Sequence, residues 1–172
     1  MAAALRATGP HASLGDHARV LGQLVGTWDV EYMDIAKDGK ALHRSGELRV
    51  GWIMDGRAIE DLWIVYPSEP GKEREVYADV RYFEPKSATW PAIFIDPQAA
   101  TVATFTGGAV GADRIVLDSQ DLVAGQTRRW SFNDIRNDSL VFRDDASSDG
   151  GKTWKLKSEY HMKRRGAALT GR

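Results

Sequence analysis

Short runs of alternating hydrophobic and polar residues make up most of this chain, and the runs end at turn-forming pairs such as Asp-Gly, Gly-Gly and Glu-Pro. An alternation of period two is typical of strands with one buried face. The runs predict ten strands: Thr27–Ile35, Ala41–Trp52, Arg57–Tyr66, Arg74–Phe83, Thr89–Ile95, Thr101–Thr106, Arg114–Ser119, Thr127–Ile135, Ser139–Asp145 and Lys152–Arg164. Their spacing of about 8–12 residues, without crossover helices, predicts an antiparallel meander.

One helix is predicted ahead of the first strand, over Ser13–Val25. Apolar residues recur there at helical spacing: Leu14, Ala18, Leu21, Leu24 and Val25. Ser13 is suited to the N-cap and Asp16 to the first turn, and Gly26 ends the helix.

A long antiparallel meander has two unpaired edges unless it closes on itself. We therefore expect an all-β fold, an up-and-down barrel of about ten strands with the short N-terminal helix closing one end. About eight strands already leave room for one small ligand. The architecture alone therefore predicts a cavity.

The chain length of 172 residues suits one domain, which we place at 14–165, with a flexible tail at 1–13 and another at 166–172. The start of the chain lacks the continuous apolar segment of a signal peptide, and no segment is long and apolar enough to span a bilayer. We expect a cytoplasmic protein that is a monomer or a homodimer.

The formal net charge is -1, so no overall field favours nucleic acid or an anionic membrane as a partner. The chain has no cysteine, which excludes disulfides and thiolate chemistry. Its four histidines include no pair at metal-ligand spacing. We expect neither a metal nor a cofactor.

The first strand opens with Gly26-Thr27-Trp28, directly after the predicted helix. This resembles the Gly-x-Trp signature of the calycin group, which contains lipocalins and fatty-acid-binding proteins. The resemblance implies that Trp28 plugs the barrel base and that a basic side chain of the last strand, Arg164 or Arg165, packs across it through a cation–π contact.

Further stretches resemble a bacterial family of uncharacterised calycin-like proteins, the DUF1579-like group. They are 55–63 (DGRAIEDLW), 80–85 (VRYFEP) with Trp90, 130–132 (WSF) with Ile135, and 148–154 (SDGGKTW) with Glu159 and Arg164. The resemblance covers roughly residues 20–165. It implies a barrel with a cavity and carries no catalytic assignment.

The stretch from Ser147 to Trp154 also matches the Asp-box pattern S-x-D-x-G-x-T-W of sialidases, where the pattern is structural. It occurs once here, between two strands. We interpret it as a hairpin turn in which Asp149 bonds to nearby amides and Gly150 and Gly151 take positive φ.

Strand alternation assigns the aromatic residues to faces. The residues expected to point inward are Trp28, Val30 and Tyr32, then Trp130 and Phe132, then Leu140 and Phe142, and finally Trp154, Leu156, Ser158, Tyr160 and Met162. Those expected to bind a ligand are Trp63, Trp90, Trp130, Phe132, Phe142 and Tyr160. The alternative for each is plain core packing.

The strand Arg57–Tyr66 is ambiguous. One face carries Arg57, Ile59, Asp61, Trp63 and Val65, and the more apolar face carries Ala58, Glu60, Leu62, Ile64 and Tyr66. If the first face points inward, Arg57 and Asp61 are buried beside the cavity and pair with each other or with a ligand. If it points outward, both are surface residues.

The residues offer three functional hypotheses. The first is binding of a small apolar or aromatic molecule in the cavity. The second is a cofactor-free lyase, isomerase or cyclase, in which Asp61 moves a proton and Arg57 or Tyr82 stabilises negative charge, with Arg81 or Tyr160 as further orienting groups. The third is an interaction domain with a filled barrel.

His161 is the candidate haem ligand, because nitrobindins, a neighbouring calycin group, bind haem through a histidine of a late strand. Alternation points His161 outward with the lysines of its strand, which disfavours haem.

Overall fold

The computed structural model describes residues 6–166. A 3₁₀ turn at Ala12–His17 leads into one short helix, α1, at Ala18–Gly22. The strands are β1 (Gly26–Ile35), β2 (Ala41–Ile53), β3 (Ala58–Val65), β4 (Glu75–Tyr82), β5 (Ala92–Asp96), β6 (Thr101–Ala109), β7 (Ile115–Ser119), β8 (Thr127–Asn133), β9 (Ser139–Ser147) and β10 (Lys155–Arg164). A second 3₁₀ turn, Met54–Gly56, joins β2 to β3.

Each strand pairs antiparallel with the next, and β10 pairs with β1 to close the barrel. The closing register places Trp28 opposite Arg164 and Tyr32 opposite Tyr160. The predicted all-β antiparallel barrel of about ten strands with a short N-terminal helix is confirmed. Closure leaves no free edge strand in the described barrel.

The helix is shorter than its periodicity predicts. Gly15 has φ 52°, which interrupts the helical backbone, so only Ala18–Gly22 forms a regular α-helix. The N-cap is His11, whose side chain accepts a hydrogen bond from the backbone N–H of Ser13; the prediction of Ser13 as the cap is wrong. The apolar face is nevertheless buried as expected, at Leu14, Ala18, Leu21 and Leu24.

The base of the barrel is built around Trp28, which is fully buried. Its indole N–H donates to the carbonyl of Leu24 at 2.8 Å, which ties the helical segment to β1. The guanidinium carbon of Arg164 lies 3.9 Å from the centre of the Trp28 ring, so Arg164 rather than Arg165 makes the expected cation–π contact. Glycine suits position 26 because its φ of 138° is one that other residues rarely adopt, and a Cβ there would also lie 2.5 Å from Nη1 of Arg164.

A β-bulge changes the faces of the last strand. The pairing of β10 with β9 shifts by one residue between Leu156 and Ser158. Residues before this bulge therefore do not lie on the face that a strict alternation counted back from Tyr160 assigns to them. Trp154, which we expected inside, packs on Arg129, with the guanidinium carbon 4.2 Å from the ring centre. Arg129 in turn pairs with the partly exposed Asp118 at 2.7 Å, which places Trp154 on the outer side of the wall.

The turn before β10 has the structure predicted for the Asp-box pattern. Oδ1 of Asp149 accepts from the backbone N–H groups of Lys152 and Thr153, and Oδ2 accepts from the Thr153 hydroxyl. Gly150 and Gly151 have φ of 72° and 86°. The motif therefore has a local structural role.

Gly107 and Gly108 lie within β6, which extends three residues beyond the predicted strand Thr101–Thr106. A Cβ on Gly107 would lie 1.9 Å from the carbonyl oxygen of Val116 on the neighbouring strand. The glycine therefore permits a close approach of two paired strands.

The predicted tails at 1–13 and 166–172 are described only in part, because residues 1–5 and 167–172 lie outside the described residues. In the described part, the N–H of Ala7 donates to the carbonyl of Trp52 and the N–H of His11 donates to that of Gly56, each at 2.9 Å. The helices within residues 6–166 are all too short or too polar to cross a membrane.

Candidate functional site

The barrel interior is packed at the end covered by α1 and hollow at the opposite end, where a cavity of about 280 Å³ opens to the outside. The lining residues are Asp34, Leu42, Arg44, Trp63, Tyr77, Asp79, Phe94, Asp96, Trp130, Phe142, Asp144 and Tyr160. We call this space the mouth cavity. It combines aromatic walls with an unusually acidic set of polar groups.

Six aromatic side chains surround the mouth cavity, and they pack on one another. Phe142 stacks on Tyr160, with ring centres 5.2 Å apart, and contacts Trp63 at 5.1 Å. Phe94 meets Trp130 edge to face at 5.4 Å. These mutual contacts hold the rings in place, so the apolar surface of the cavity is formed before any ligand arrives.

Four of the six residues expected to bind a ligand line the mouth cavity: Trp63, Trp130, Phe142 and Tyr160. Phe132 and Trp90 lie deeper. Phe132 is buried beneath Trp63, with ring centres 6.5 Å apart. Trp90 packs on Phe83, which stacks on His17 beside the N-terminal helix, so Trp90 belongs to the closed end.

The structure resolves the ambiguity of β3 in favour of the face that carries Trp63. Ile59, Asp61, Trp63 and Val65 are all buried. Asp61 lies directly opposite Asp79 on β4, and Ile59 lies opposite Arg81. Opposite residues of an antiparallel pair share a face, so both aspartates and Arg81 point into the barrel.

These three charged residues form a buried cluster at the floor of the mouth cavity. Arg81 is 1 % exposed; its Nη1 donates to Asp61, and its Nη2 lies 3.2 Å from Oδ2 of Asp79. The indole N–H of Trp63 lies 3.1 Å from one carboxylate oxygen of each aspartate. One cation and one N–H donor thus hold two carboxylates together, away from water.

Asp79 is the member of the cluster that faces the cavity. It is 1 % exposed, and its Oδ1 has no hydrogen-bond partner among residues 6–166. Burial raises the pKa of Asp79 to about 7; Arg81 acts to lower it and Asp61 to raise it. Asp79 therefore exchanges a proton near neutral pH.

Arg57 and Tyr82 lie outside the barrel interior. Arg57 caps the 3₁₀ turn ahead of β3, so its backbone is helical and not extended. Its guanidinium lies 2.9 Å from Nε2 of the His11 ring. Tyr82 is 43 % exposed, since it follows the inward-pointing Arg81. For a buried Asp61 the sequence offered two partners, Arg57 or a ligand; in the structure Asp61 pairs with Arg81 instead.

The rim of the mouth cavity carries a second polar network, centred on Arg44. This arginine pairs with Asp34 at 3.0 Å and with Glu75 at 2.7 Å. Asp34 also accepts from the hydroxyls of Ser158, at 2.7 Å, and Tyr160, at 3.0 Å. Burial raises the pKa of Tyr160, and Asp34 acts in the same direction, so this phenol stays protonated at neutral pH.

A separate ion pair borders the cavity on β8 and β9, where Arg128 binds Asp144 through two nitrogen–oxygen contacts. Asp144 is buried and lines the cavity. Both arginines beside the mouth are therefore already engaged by carboxylates.

The sequence reasoning missed Asp34, Arg44 and Asp79, although a signal existed for the first two. Asp34 shares the parity of Trp28, Val30 and Tyr32, all predicted inward. Arg44 shares the parity of Leu48, Val50 and Trp52, which form one face of their strand. Asp79 lies with Arg81 on the less apolar face of its strand, so alternation alone does not place it inside.

His161 is exposed and contacts Glu159 at 3.0 Å, which agrees with the outward orientation expected from alternation. Within residues 6–166, the histidine, aspartate and glutamate side chains form no group of three or more placed to hold a metal ion.

A larger depression of about 470 Å³ lies on the outer wall, between β1, β2, β9, β10 and the segment after β8. It is lined by outward side chains such as Asp29, Glu31 and His161, together with Arg136 and Lys163. The mouth cavity is the stronger candidate site, because only it combines enclosing aromatic walls with a buried, unpartnered carboxylate oxygen.

No protein-family model and no curated protein matches the chain. Among solved structures, it is similar to the S-type phycobiliprotein lyase CPES from Guillardia theta, with 8% identity and a TM-score of 0.61 over 86% of this chain and 92% of that chain. It is also similar to Rv2717c from M. tuberculosis, with 12% identity and a TM-score of 0.62 over 88% of this chain and 98% of that chain.

At such identities the likeness concerns the fold alone, and it supports a calycin-like barrel. Membership in the DUF1579-like group stays a prediction from the sequence.

Proposed function

We propose that the protein reversibly binds a small apolar or aromatic molecule in the mouth cavity. The observation that carries the proposal is a cavity of about 280 Å³, open at one barrel end and walled by six aromatic side chains. Its volume is near the lower end of the range for ligand pockets, roughly 300–1,000 Å³. The proposed ligand therefore has one or two rings.

Shape and apolar contact alone give such a ligand little net affinity. Removing about 150 Å² of aromatic surface from water contributes roughly 4 kcal/mol. Lost translational and rotational freedom costs at least about 4 kcal/mol. Polar contacts with the charged groups of the cavity must therefore supply much of the affinity and the specificity.

The comparisons are consistent with this proposal. One structural neighbour is named a phycobiliprotein lyase, so a barrel of this fold occurs in a protein that acts on phycobiliproteins. The open cavity also counts against the alternative of an interaction domain with a filled barrel.

A cofactor-free lyase, isomerase or cyclase is a second candidate, favoured by one observation. A general acid or base works best with a pKa near the operating pH, and Asp79, at the cavity floor, has a pKa of about 7 because of burial. In this version Asp79 replaces Asp61 as the proton carrier, because Asp61 is bound by Arg81 and Trp63 and does not line the cavity.

The binding proposal is tested with 1-naphthalenemethanol as the probe and the indole N–H signals of the tryptophans as reporters in ¹H–¹⁵N NMR spectra. We expect the signals of Trp63 and Trp130 to shift with probe concentration, and those of Trp28 and Trp154 to stay in place. Uniform small shifts of all indoles, or none, would contradict binding in the mouth cavity.

A blocking variant supplies the control. Leu42 is exposed at the cavity rim, so Leu42→Trp obstructs the opening without disturbing the core. Val110 is similarly exposed at the opposite barrel end, which makes Val110→Trp the matched substitution. Probe binding is expected to weaken only in Leu42→Trp.

The enzymatic candidate is tested by native mass spectrometry of molecules that stay bound through purification. An enzyme predicts that Asp79→Asn retains an unconverted compound that differs from the one held by the wild type in mass or, for an isomerisation, which conserves mass, in chromatographic retention after release. The same compound by both measures in the two proteins argues for binding alone.

A further inference from the structure

We propose that the mouth cavity selects ligands in which an aromatic body carries a cationic N–H donor, and that this donor bonds to Oδ1 of Asp79. The inference rests on the proposed function, because it names the chemical class of the bound molecule. Three features of the cavity support it.

The first feature is the unmet hydrogen-bonding capacity of Asp79. Its Oδ2 lies 3.1 Å from the Trp63 indole nitrogen and 3.2 Å from Nη2 of Arg81. Its Oδ1 is buried with no hydrogen-bond partner in the described part of the chain, and Asp79 is one of the residues that line the cavity. An unsatisfied buried carboxylate is costly, and either protonation or a hydrogen-bond donor relieves that cost. A ligand that binds the ionised form therefore places a donor at this point.

The second feature is the charge around the cavity. The acidic groups that line the cavity or directly contact its lining are Asp34, Asp61, Glu75, Asp79, Asp96 and Asp144, and the basic groups are Arg44, Arg81 and Arg128. Carboxylates thus outnumber guanidinium groups by six to three. An anionic ligand would meet net repulsion in a space of low dielectric constant, whereas a cation is attracted.

The third feature is the position of the aromatic faces. Trp63 both donates to Asp79 and lines the cavity, with Phe142 packed 5.1 Å from it. A cation that reaches Asp79 therefore lies beside indole and phenyl rings, whose faces attract positive charge. An aromatic body attached to that cation is buried against the same rings, so both parts of the ligand are bound at once.

The protonation of Asp79 links this preference to pH. Burial raises its pKa to about 7, so a cation bound at Oδ1 favours release of the proton. Asp61 and Arg81 face Asp79 from β3 and β4, and Asp34, Arg44, Asp96 and Asp144 surround the rest of the cavity. A neutral hydroxyl donor binds either form of the carboxyl group, so its affinity changes less with pH.

The test uses three probes with the same rings: 1-naphthylmethylamine, 1-naphthalenemethanol and 1-naphthoate. Affinities are measured by isothermal titration calorimetry at about pH 8, where the amine is still mainly cationic. We expect the amine to bind about tenfold more tightly than the alcohol, as one charge-assisted hydrogen bond allows, and the naphthoate to bind more weakly than the alcohol.

Asp79→Asn keeps the shape of the side chain and removes its charge. In this variant the advantage of the amine over the alcohol is expected to fall to about threefold or less, because loss of the carboxylate weakens a cation more than a neutral hydroxyl donor. Asp118→Asn removes an equal charge from the outer wall, where Asp118 pairs with Arg129, and is expected to leave the ratio unchanged.

The wild type provides an independent measurement that does not depend on a variant folding. Its amine-to-alcohol affinity ratio is expected to rise between about pH 6 and pH 8, through the pKa of Asp79. A flat ratio, or an amine no tighter than the alcohol, overturns the cation preference while binding itself stands. Failure of all three probes to bind overturns the proposed function and this inference with it.

Discussion

Nη2 of Arg81 lies 3.2 Å from Oδ2 of Asp79, and the same guanidinium donates to Asp61, so one buried cation holds two buried carboxylates. This arrangement explains how an otherwise apolar barrel floor contains three charged side chains. It also leaves one carboxylate oxygen of Asp79, a residue that lines the cavity, without a hydrogen-bond partner among residues 6–166.

Removing the shared cation is expected to destabilise the barrel strongly. Arg81→Met leaves two carboxylates buried without compensation, which costs about 3–5 kcal/mol in the free energy of unfolding. Arg143 is the matched control, because it is half exposed and lies 3.6 Å from both Asp145 and Glu159. Arg143→Met is expected to cost less than about 1 kcal/mol. Equal losses in urea denaturation would show that the cluster is not structurally important.

Asp79 makes the stability of the fold depend on pH. Its pKa in the folded protein, about 7, exceeds the ordinary value of 3.8, so the folded state binds this proton more tightly than the unfolded chain. The stabilisation of the folded state by this bound proton is complete below about pH 4 and is lost as the pH rises through about 7.

The difference in the free energy of unfolding between the wild type and Asp79→Asn isolates this effect from other titrating groups. We expect the wild type to lose a few kcal/mol relative to the variant across that window, and the difference to stay constant above it. A pH-independent difference would show that Asp79 has an ordinary pKa.

Arg164 is expected to be the most sensitive basic residue of the barrel base. It packs on Trp28, and Nη2 donates to the carbonyl of Gln23 at 2.7 Å. Arg164→Met removes a cation–π contact and charged hydrogen bonds, for a loss of about 2–4 kcal/mol. Lys163→Met, at the exposed neighbouring position, is expected to cost less than about 0.5 kcal/mol. Thermal denaturation of both variants measures the contrast.

Trp154 is expected to affect stability without affecting ligand binding, because it packs on Arg129 at the outer wall. Trp154→Leu should cost about 1 kcal/mol and leave the affinity for 1-naphthalenemethanol within about twofold. Phe142→Leu removes an aromatic wall of the cavity and should weaken the probe about fivefold. A Trp154 variant that loses probe binding would place the indole inside the barrel.

Much of the site follows from alternation read along single strands. Trp130, Phe142 and Tyr160 line the cavity as their parity predicts. Alternation fails at β10, because a bulge between Leu156 and Ser158 adds a residue that the hydrophobic pattern does not mark. Alternation also does not show how far along the barrel axis a residue lies. For this reason Trp90 was predicted in the site, whereas it lies at the closed end of the barrel.

The sequence by itself determined the ten strands, the short helix ahead of them and the barrel base, since period-two patterns, turn residues and a Gly-x-Trp signature are local features of the chain. Only the tertiary structure decided which face of β3 points inward. That choice depends on Asp79 and Arg81 of the adjacent strand, which compensate the charge of Asp61 once the strands pair. The stability of a buried charge is a property of its neighbours in space, and the order of residues along one strand does not contain it.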